Sequence, residues 1–234
     1  MPKKKTFRFN TGPDLVRQAL TLDYFNEFRG KVAIPVFSRE GTGKLTVVVG
    51  ENASGKSFLR RVIGAICAQA EKKTEYIPIS MEGRRNVGMM PWLSMVYGDE
   101  SWQATGVNST GTVTTGIRTS QGRTERHVVF WDEPDLGLSD SWAAGMGVKF
   151  AEFSRKPPKH LVGCFVVTHN KALVAQLLDT NPHYLHVGTP PEKAPQSLQE
   201  WFEAPVKPKD LDTLGEQAHK RFKAIQAILD RIKP

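Results

Sequence analysis

Three short runs carry side chains with chemistry to offer. Gly50-Glu51-Asn52-Ala53-Ser54-Gly55-Lys56-Ser57 fits the pattern G-x-x-x-x-G-K-[ST]. In such a run Gly50 and Gly55 let the backbone turn tightly. The successive N–H groups of Glu51, Asn52, Ala53 and Ser54, and the positive end of the next helix, then point at the β- and γ-phosphates of ATP. Lys56 adds a point charge at those phosphates, and the Ser57 hydroxyl is a hard oxygen ligand for Mg²⁺. Val128-Val129-Phe130-Trp131-Asp132-Glu133 is an apolar run ending in two acids. Asp132 is expected to hold the Mg²⁺ shell, and Glu133 to position or deprotonate a water that attacks the γ-phosphate. Cys164-Phe165-Val166-Val167-Thr168-His169 repeats that arrangement, which places His169 to hydrogen-bond the γ-phosphate or the attacking water. A strand-ending turn or a structural histidine would account for either of the later runs alone. All three together point to ATP hydrolysis, with Lys56, Glu133 and His169 as the catalytic group.

These residues need strands that deliver them to one edge and helices that cover the strands. The pattern of apolar runs and breakers predicts a strand near Lys5–Asn10, a helix near Asp14–Phe28, and a strand Lys44–Val49 leading into the loop. A helix Lys56–Ala70 follows, then a strand Glu75–Ser80. From Met81 to Gly122 the chain is rich in Gly, Met, Ser and Thr and shows no sustained helical period. Beyond it come a strand His127–Trp131, a helix near Ser141–Phe153, a strand Leu161–Thr168, a helix Ala172–Leu178 and a strand Tyr184–Val187. Continuous apolar strands alternating with helices imply an α/β fold, a largely parallel sheet covered on both faces. The expected organisation is an ATPase domain over 1–190, a Pro-rich linker over 191–210 and an amphipathic helix over 211–234. That last helix carries an apolar stripe of Leu214, Phe222, Ile225, Ile228 and Leu229.

Composition narrows the classes of function. The 234 residues are 39% hydrophobic and 24% charged, enough for a buried core. No apolar run approaches the roughly 18–20 residues of a membrane-spanning helix, and no signal-peptide core follows the first residues, so a cytoplasmic protein is expected. Cys67 and Cys164 stand far apart in apolar segments and read as reduced packing residues. A formal charge of +8, with basic residues clustered at both ends and in Arg155-Lys156-Pro157-Pro158-Lys159, is consistent with a polyanionic partner such as nucleic acid and equally with a solvated face.

The loop, then hydrophobic-Asp-Glu-Pro, then hydrophobic-Thr-His, in that order over Lys44–Asn170, resembles the ATP-binding-cassette ATPase superfamily. The resemblance implies a P-loop fold whose two copies sandwich ATP, each lending a signature segment to the other's nucleotide. Asn108-Ser109-Thr110-Gly111-Thr112 resembles that segment, with Ser109 and Gly111 matching. Asp132-Glu133-Pro134-Asp135-Leu136-Gly137-Leu138-Ser139 is closer to the soluble OLD-nuclease, RecF and chromosome-maintenance types than to transporters, with Asp135 and Ser139 as departures. Leu138-Ser139-Asp140 would then be a turn crossing the dimer interface. Where transporters carry a coupling Gln, this chain has Trp92, with Gln103 as a substitute. The stretch from Trp92 to Ser109 is too short for a transporter's helical subdomain, so the chain reads as a minimal cassette. Phe28 and Phe37 are candidates to stack on adenine, with core packing as their commoner use.

The leading expectation is an ATP-dependent homodimeric switch that acts on nucleic acid or on an effector protein. The energy-coupling subunit of a membrane transporter, a small-molecule kinase and a non-hydrolysing nucleotide-binding module are the alternatives.

Overall fold

The computed structural model describes residues 6–22, 36–38, 41–80 and 104–232. Among these, the strands are β1 (Val36–Ser38), β2 (Leu45–Gly50), β3 (Glu75–Ser80), β4 (His127–Asp132), β5 (Leu161–Val167) and β6 (His183–Val187). They form one sheet in the order β1-β6-β2-β5-β4-β3. All neighbours run parallel except β1, which pairs antiparallel with β6. Strands β2, β4, β5 and β6 are buried at every position, because helices cover both faces; the largely apolar runs of β2, β4 and β5 are what such burial requires, while β6 also buries Tyr184 and two histidines.

Alternation along the strands divides the core in two. Val47, Val49, Val129, Trp131, Cys164 and Val166 face a layer that includes α4 (Asp140–Arg155) and α5 (Lys171–Ala175). Val48, Val128, Phe130, Phe165, Val167 and Leu185 face α1 (Gly12–Leu20) and α2 (Lys56–Ala68). Thr11 caps α1, its hydroxyl accepting from the Asp14 N–H while the Asp14 carboxylate accepts from the Thr11 N–H. Both cysteines are buried and free, and burial pushes each thiol up to about 12, in line with packing residues.

The outline matches the sequence expectation, and the differences have local causes. In place of a strand over Lys5–Asn10 there is a single parallel bridge from Phe7 to Ala70. Helix α1 is described to Leu20, and the expected continuation to Phe28 lies largely outside the described residues. The segment read as lacking helical period holds a helix of 17 residues, α3 (Thr105–Gln121). Its buried face is Ser109, Val113, Gly116 and Ser120, a helical spacing written mostly in small residues, which an apolar count misses. Gly116 lets it approach the sheet: a Cβ there would stand 2.5 Å from Ile79 and 3.1 Å from the Trp131 ring. Hydroxyls of Ser109, Thr110, Thr112 and Thr114 each donate to the carbonyl four residues back, the local bonding that lets Ser and Thr sit inside a helix.

The Pro-rich stretch expected as a linker carries α6 (Leu198–Glu203), which is docked on the core by Leu198, Trp201 and Phe202. Lys171 Nζ donates to the Phe202 carbonyl at 2.7 Å and stabilises that docking. The last helix, α7 (Asp212–Ile232), leaves Leu214 and Phe222 of its expected stripe exposed, Phe222 at 62%.

Trp131, fully buried, stands edge-on to Phe150 and Phe153 at 5.0 and 5.6 Å and immediately precedes Asp132. Replacing it with Ala leaves a large cavity under the acidic end of β4 and is expected to cost about 3–5 kcal/mol of unfolding free energy. Chemical denaturation checks this, and a loss below about 1 kcal/mol would show that the core has repacked.

Candidate active site

The phosphate-loop motif lies between β2 and α2, at the carboxyl edge of the parallel sheet where such sheets hold ligands. Its turn uses backbone conformations that few residues adopt. Gly50 has φ of 153°, and a Cβ there would stand 2.2 Å from the Val187 carbonyl oxygen, so the position accepts only glycine. Ala53 has φ of 56°, a strained value for a residue with a side chain. Gly55, at φ 102°, opens α2 without a side-chain cap, which leaves the first-turn amides to a ligand or water. The Ser54 hydroxyl is buried with no hydrogen-bond partner among the described residues. A strained loop that presents N–H groups and an orphaned hydroxyl is what phosphate oxygens would satisfy.

Strand order decides which side chains meet here. β5 lies between β2 and β4, so the segment after β5 emerges between the phosphate loop and the paired acids. Backbone bonds continue past the strand ends and fix that relation: Thr168 N–H donates to Val48 O, and Glu133 N–H to Val167 O, both at 3.1 Å. As a result His169 Nε2 stands 2.8 Å from Lys56 Nζ and 3.3 Å from Glu133 Oε1. All three residues expected to be catalytic are thus drawn into one cluster. The tautomer selects the bond: an unprotonated Nε2 accepts from Lys56, whereas Nε2–H donates to Glu133. Glu133 itself has φ of 51°, a non-glycine outlier of the kind that turns a side chain toward a site.

Lys56 is 6% exposed, and its ammonium also donates to the carbonyls of Gly50 at 3.1 Å and Glu51 at 2.8 Å. When His169 Nε2 is unprotonated, the three donors of the ammonium have three acceptors. Burial drives its pKa down to about 8, with Glu133 and Asp132 opposing that fall. An anion in the loop would supply the charge that burial has removed.

Asp132 is buried at the end of β4, and its Oδ2 lies 3.1 Å from Arg60 Nε. Ser57, at the second position of α2, is exposed beside the loop. A carboxylate and a hydroxyl are hard oxygen donors suited to Mg²⁺, which is commonly held by one or two such groups together with phosphate oxygens. The residues therefore fit that ion. Asp135, two positions after Glu133, has a buried Oδ1 without a hydrogen-bond partner among the described residues, and burial raises its pKa.

Other expected site residues lie elsewhere. Ser109 is fully buried inside α3, its hydroxyl within reach of Thr105 O at 3.0 Å and Leu136 O at 2.7 Å. It holds α3 against the turn after β4 and is not exposed at the surface, because the segment read as lacking a helical period is helical and turns Ser109 inward. Gly111 is exposed on the other side of that helix. Trp92, Gln103 and Phe28 lie outside the described residues, while Phe37 packs against the core beside His183.

The structure adds residues that motif reading overlooked. Arg221 of α7 donates to Ala53 O and Gly188 O, both at 2.6 Å, and Lys209 pairs with Glu51. Arg60, one turn into α2, holds Asp132. Only their basic character was visible in the sequence, and nothing local linked the C-terminal ones to the loop.

No protein-family model and no curated protein matches the chain. Among solved structures, that of Cdc6p from Pyrobaculum aerophilum is similar over 80% of this chain, at 10% identity and a TM-score of 0.35. The chain spans 47% of the length of that one. The function of the site is read below from its own geometry.

The placement of Lys56 predicts an unusual titration. In the nucleotide-free protein its ammonium should titrate near 8 instead of near 10.5. Glu133→Gln removes a charge that favours the protonated form and should lower the value further. NMR of labelled lysine side chains reads both, and an unshifted value would refute the described burial.

Proposed function

We propose that the chain is a P-loop ATPase that binds Mg-ATP on the Gly50–Ser57 loop and hydrolyses it with Glu133 and His169. The observation that carries this reading is the Lys56–His169–Glu133 cluster, with His169 within hydrogen-bonding range of the loop lysine and close to the acid. A loop without a catalytic task would not need a base beside its lysine.

Lys56 and the loop amides bind the β- and γ-phosphates and draw electron density toward the bridging oxygen. Glu133 Oε1 takes a proton from a water as that water's oxygen bonds to the γ-phosphorus. The bond from that phosphorus to the β,γ-bridging oxygen breaks, giving ADP and phosphate. His169 Nε2, between the lysine and the acid, holds the water or the γ-phosphate in line. Mg²⁺, when bound through Ser57 and Asp132, neutralises phosphate charge.

A nucleotide switch is the natural use of such a site, and a second copy of the chain is the partner this reading expects. Trp142, 71% exposed at the start of α4 and two residues after the end of Leu138-Ser139-Asp140, supplies an apolar side chain close in sequence to that turn. Val107, in the first turn of α3, is also exposed, at 58%. The net charge of +8 favours a polyanionic target, nucleic acid first. No helix among the described residues is long and apolar enough to cross a membrane.

Lys56→Ala should abolish ATP binding, because it removes the cation the phosphates need. Glu133→Gln should keep binding and lower turnover by about 10²–10⁴-fold, the span of general-base catalysis, and His169→Ala should fall in the same direction. Fluorescent-nucleotide titration and phosphate release measure the two quantities separately. Unchanged turnover in Glu133→Gln would remove the acid from the mechanism. ATP affinity should be full below pH 8 and weaken as pH rises through it, since phosphate binds the protonated form of Lys56.

A further inference from the structure

The C-terminal segment does not trail away from the phosphate loop. Arg221 uses both ends of its guanidinium fork, one nitrogen on Ala53 O in the loop and one on Gly188 O just after β6. These two carbonyls belong to segments already in close contact: a Cβ on Gly188 would stand 2.4 Å from the Ser54 Cβ. Arg221 therefore clips α7 to the loop and the loop to the end of β6. Lys209 adds its ion pair with Glu51. An exposed pair of that kind holds little by itself, whereas two charge-assisted bonds from one planar group fix an orientation.

Between this segment and the loop lies a cavity of about 450 Å³. Glu51, Asn52 and His169 line one side, and Lys207, Lys209, Asp210 and Gln217 the other. Its size falls within the range of small-molecule sites. His169 places the cavity at the end of the loop where Lys56 and Glu133 meet, the end assigned above to the γ-phosphate. Glu51 and Asp210 would repel a phosphate there, and Lys207 and Lys209 are the two cations that offset them. The second side of the cleft thus comes from the same chain, from residues more than 150 positions away from the loop in sequence.

We propose that the segment from Lys207 to Arg221 is an in-cis wall of the nucleotide site: Lys207 and Lys209 bind the terminal phosphate of a nucleoside triphosphate, and Arg221 is the positioning residue that holds them there. The inference rests on the assignment of the loop as an ATP site. It accounts for a long helix that keeps Phe222 in water yet anchors a guanidinium on the loop backbone. It also gives the chain a means of telling ATP from ADP, because the two lysines face the position that only the triphosphate fills. Arg221 also holds the phosphate loop itself through Ala53 O, so its loss weakens both nucleotides, ATP more than ADP.

The test uses the full chain, with fluorescent ATP and ADP analogues for affinity and hydrogen exchange for the amides of 207–221. Lys207→Ala/Lys209→Ala should weaken ATP about tenfold or more and ADP much less, the effect of losing charge-assisted contacts to one phosphate. Arg221→Ala should weaken both nucleotides and speed exchange across 207–221. Arg221→Lys should fail to restore either, since an ammonium cannot make the forked contact. In the unaltered chain, ATP should slow exchange over 207–217 more than ADP does. If ATP binding depends on Lys56 yet all of these variants bind ATP and ADP as the unaltered chain does, with exchange over 207–217 indifferent to nucleotide, the wall is refuted and the loop assignment survives. If the unaltered chain binds no ATP, or Lys56→Ala binds it equally well, the loop assignment fails and takes the wall with it.

Discussion

The position of β5 between β2 and β4 is the constraint on which the site depends. Neighbouring strands in a sheet stand about 4.8 Å apart, so three adjacent strand ends gather their following residues within about 10 Å. The loop after β2, the acids after β4 and the histidine after β5 come together because the ladder leaves them nowhere else to go. The bonds from Thr168 to Val48 and from Glu133 to Val167 extend that ladder one step beyond the strands. A different strand order would leave Lys56 and Glu133 with no histidine between them.

The core serves this arrangement. Helices on both faces bury β2, β4 and β5 completely, and a rigid sheet is what allows strained residues such as Ala53 and Glu133 to persist at its edge. Burial also sets the electrostatics. Lys56 is drawn out of water until its charge is held only by two carbonyls, a histidine and nearby acids, which primes it for phosphate. Elsewhere on the loop, the Ala53 carbonyl is taken up by Arg221, which also holds the Gly188 carbonyl just after β6.

Much of this could be read from the residues alone. Three of the four fully buried strands, β2, β4 and β5, advertised themselves as largely apolar runs, and the glycines and lysine of the loop left little choice of conformation. Helix α3 escaped because its buried face is Ser109, Gly116 and Ser120 around one valine, so burial there comes from close approach and not from apolar side chains. That same feature turned Ser109 from an expected nucleotide contact into a buried strut under Leu136. The role of the C-terminal helix escaped for another reason. Its apolar stripe was the visible feature, whereas its link to the loop runs through one long basic side chain, Arg221, whose partners are backbone carbonyls with no signature in sequence.

In the proposed reaction, water activated beside Lys56 and His169 by Glu133 attacks the γ-phosphorus of ATP bound on the loop. The most direct measurement is turnover in ¹⁸O-enriched water followed by mass analysis of both products. Solvent oxygen in the released phosphate and none in ADP is the predicted result. Solvent oxygen in ADP, or transfer of the γ-phosphoryl group to an acceptor other than water, would contradict it.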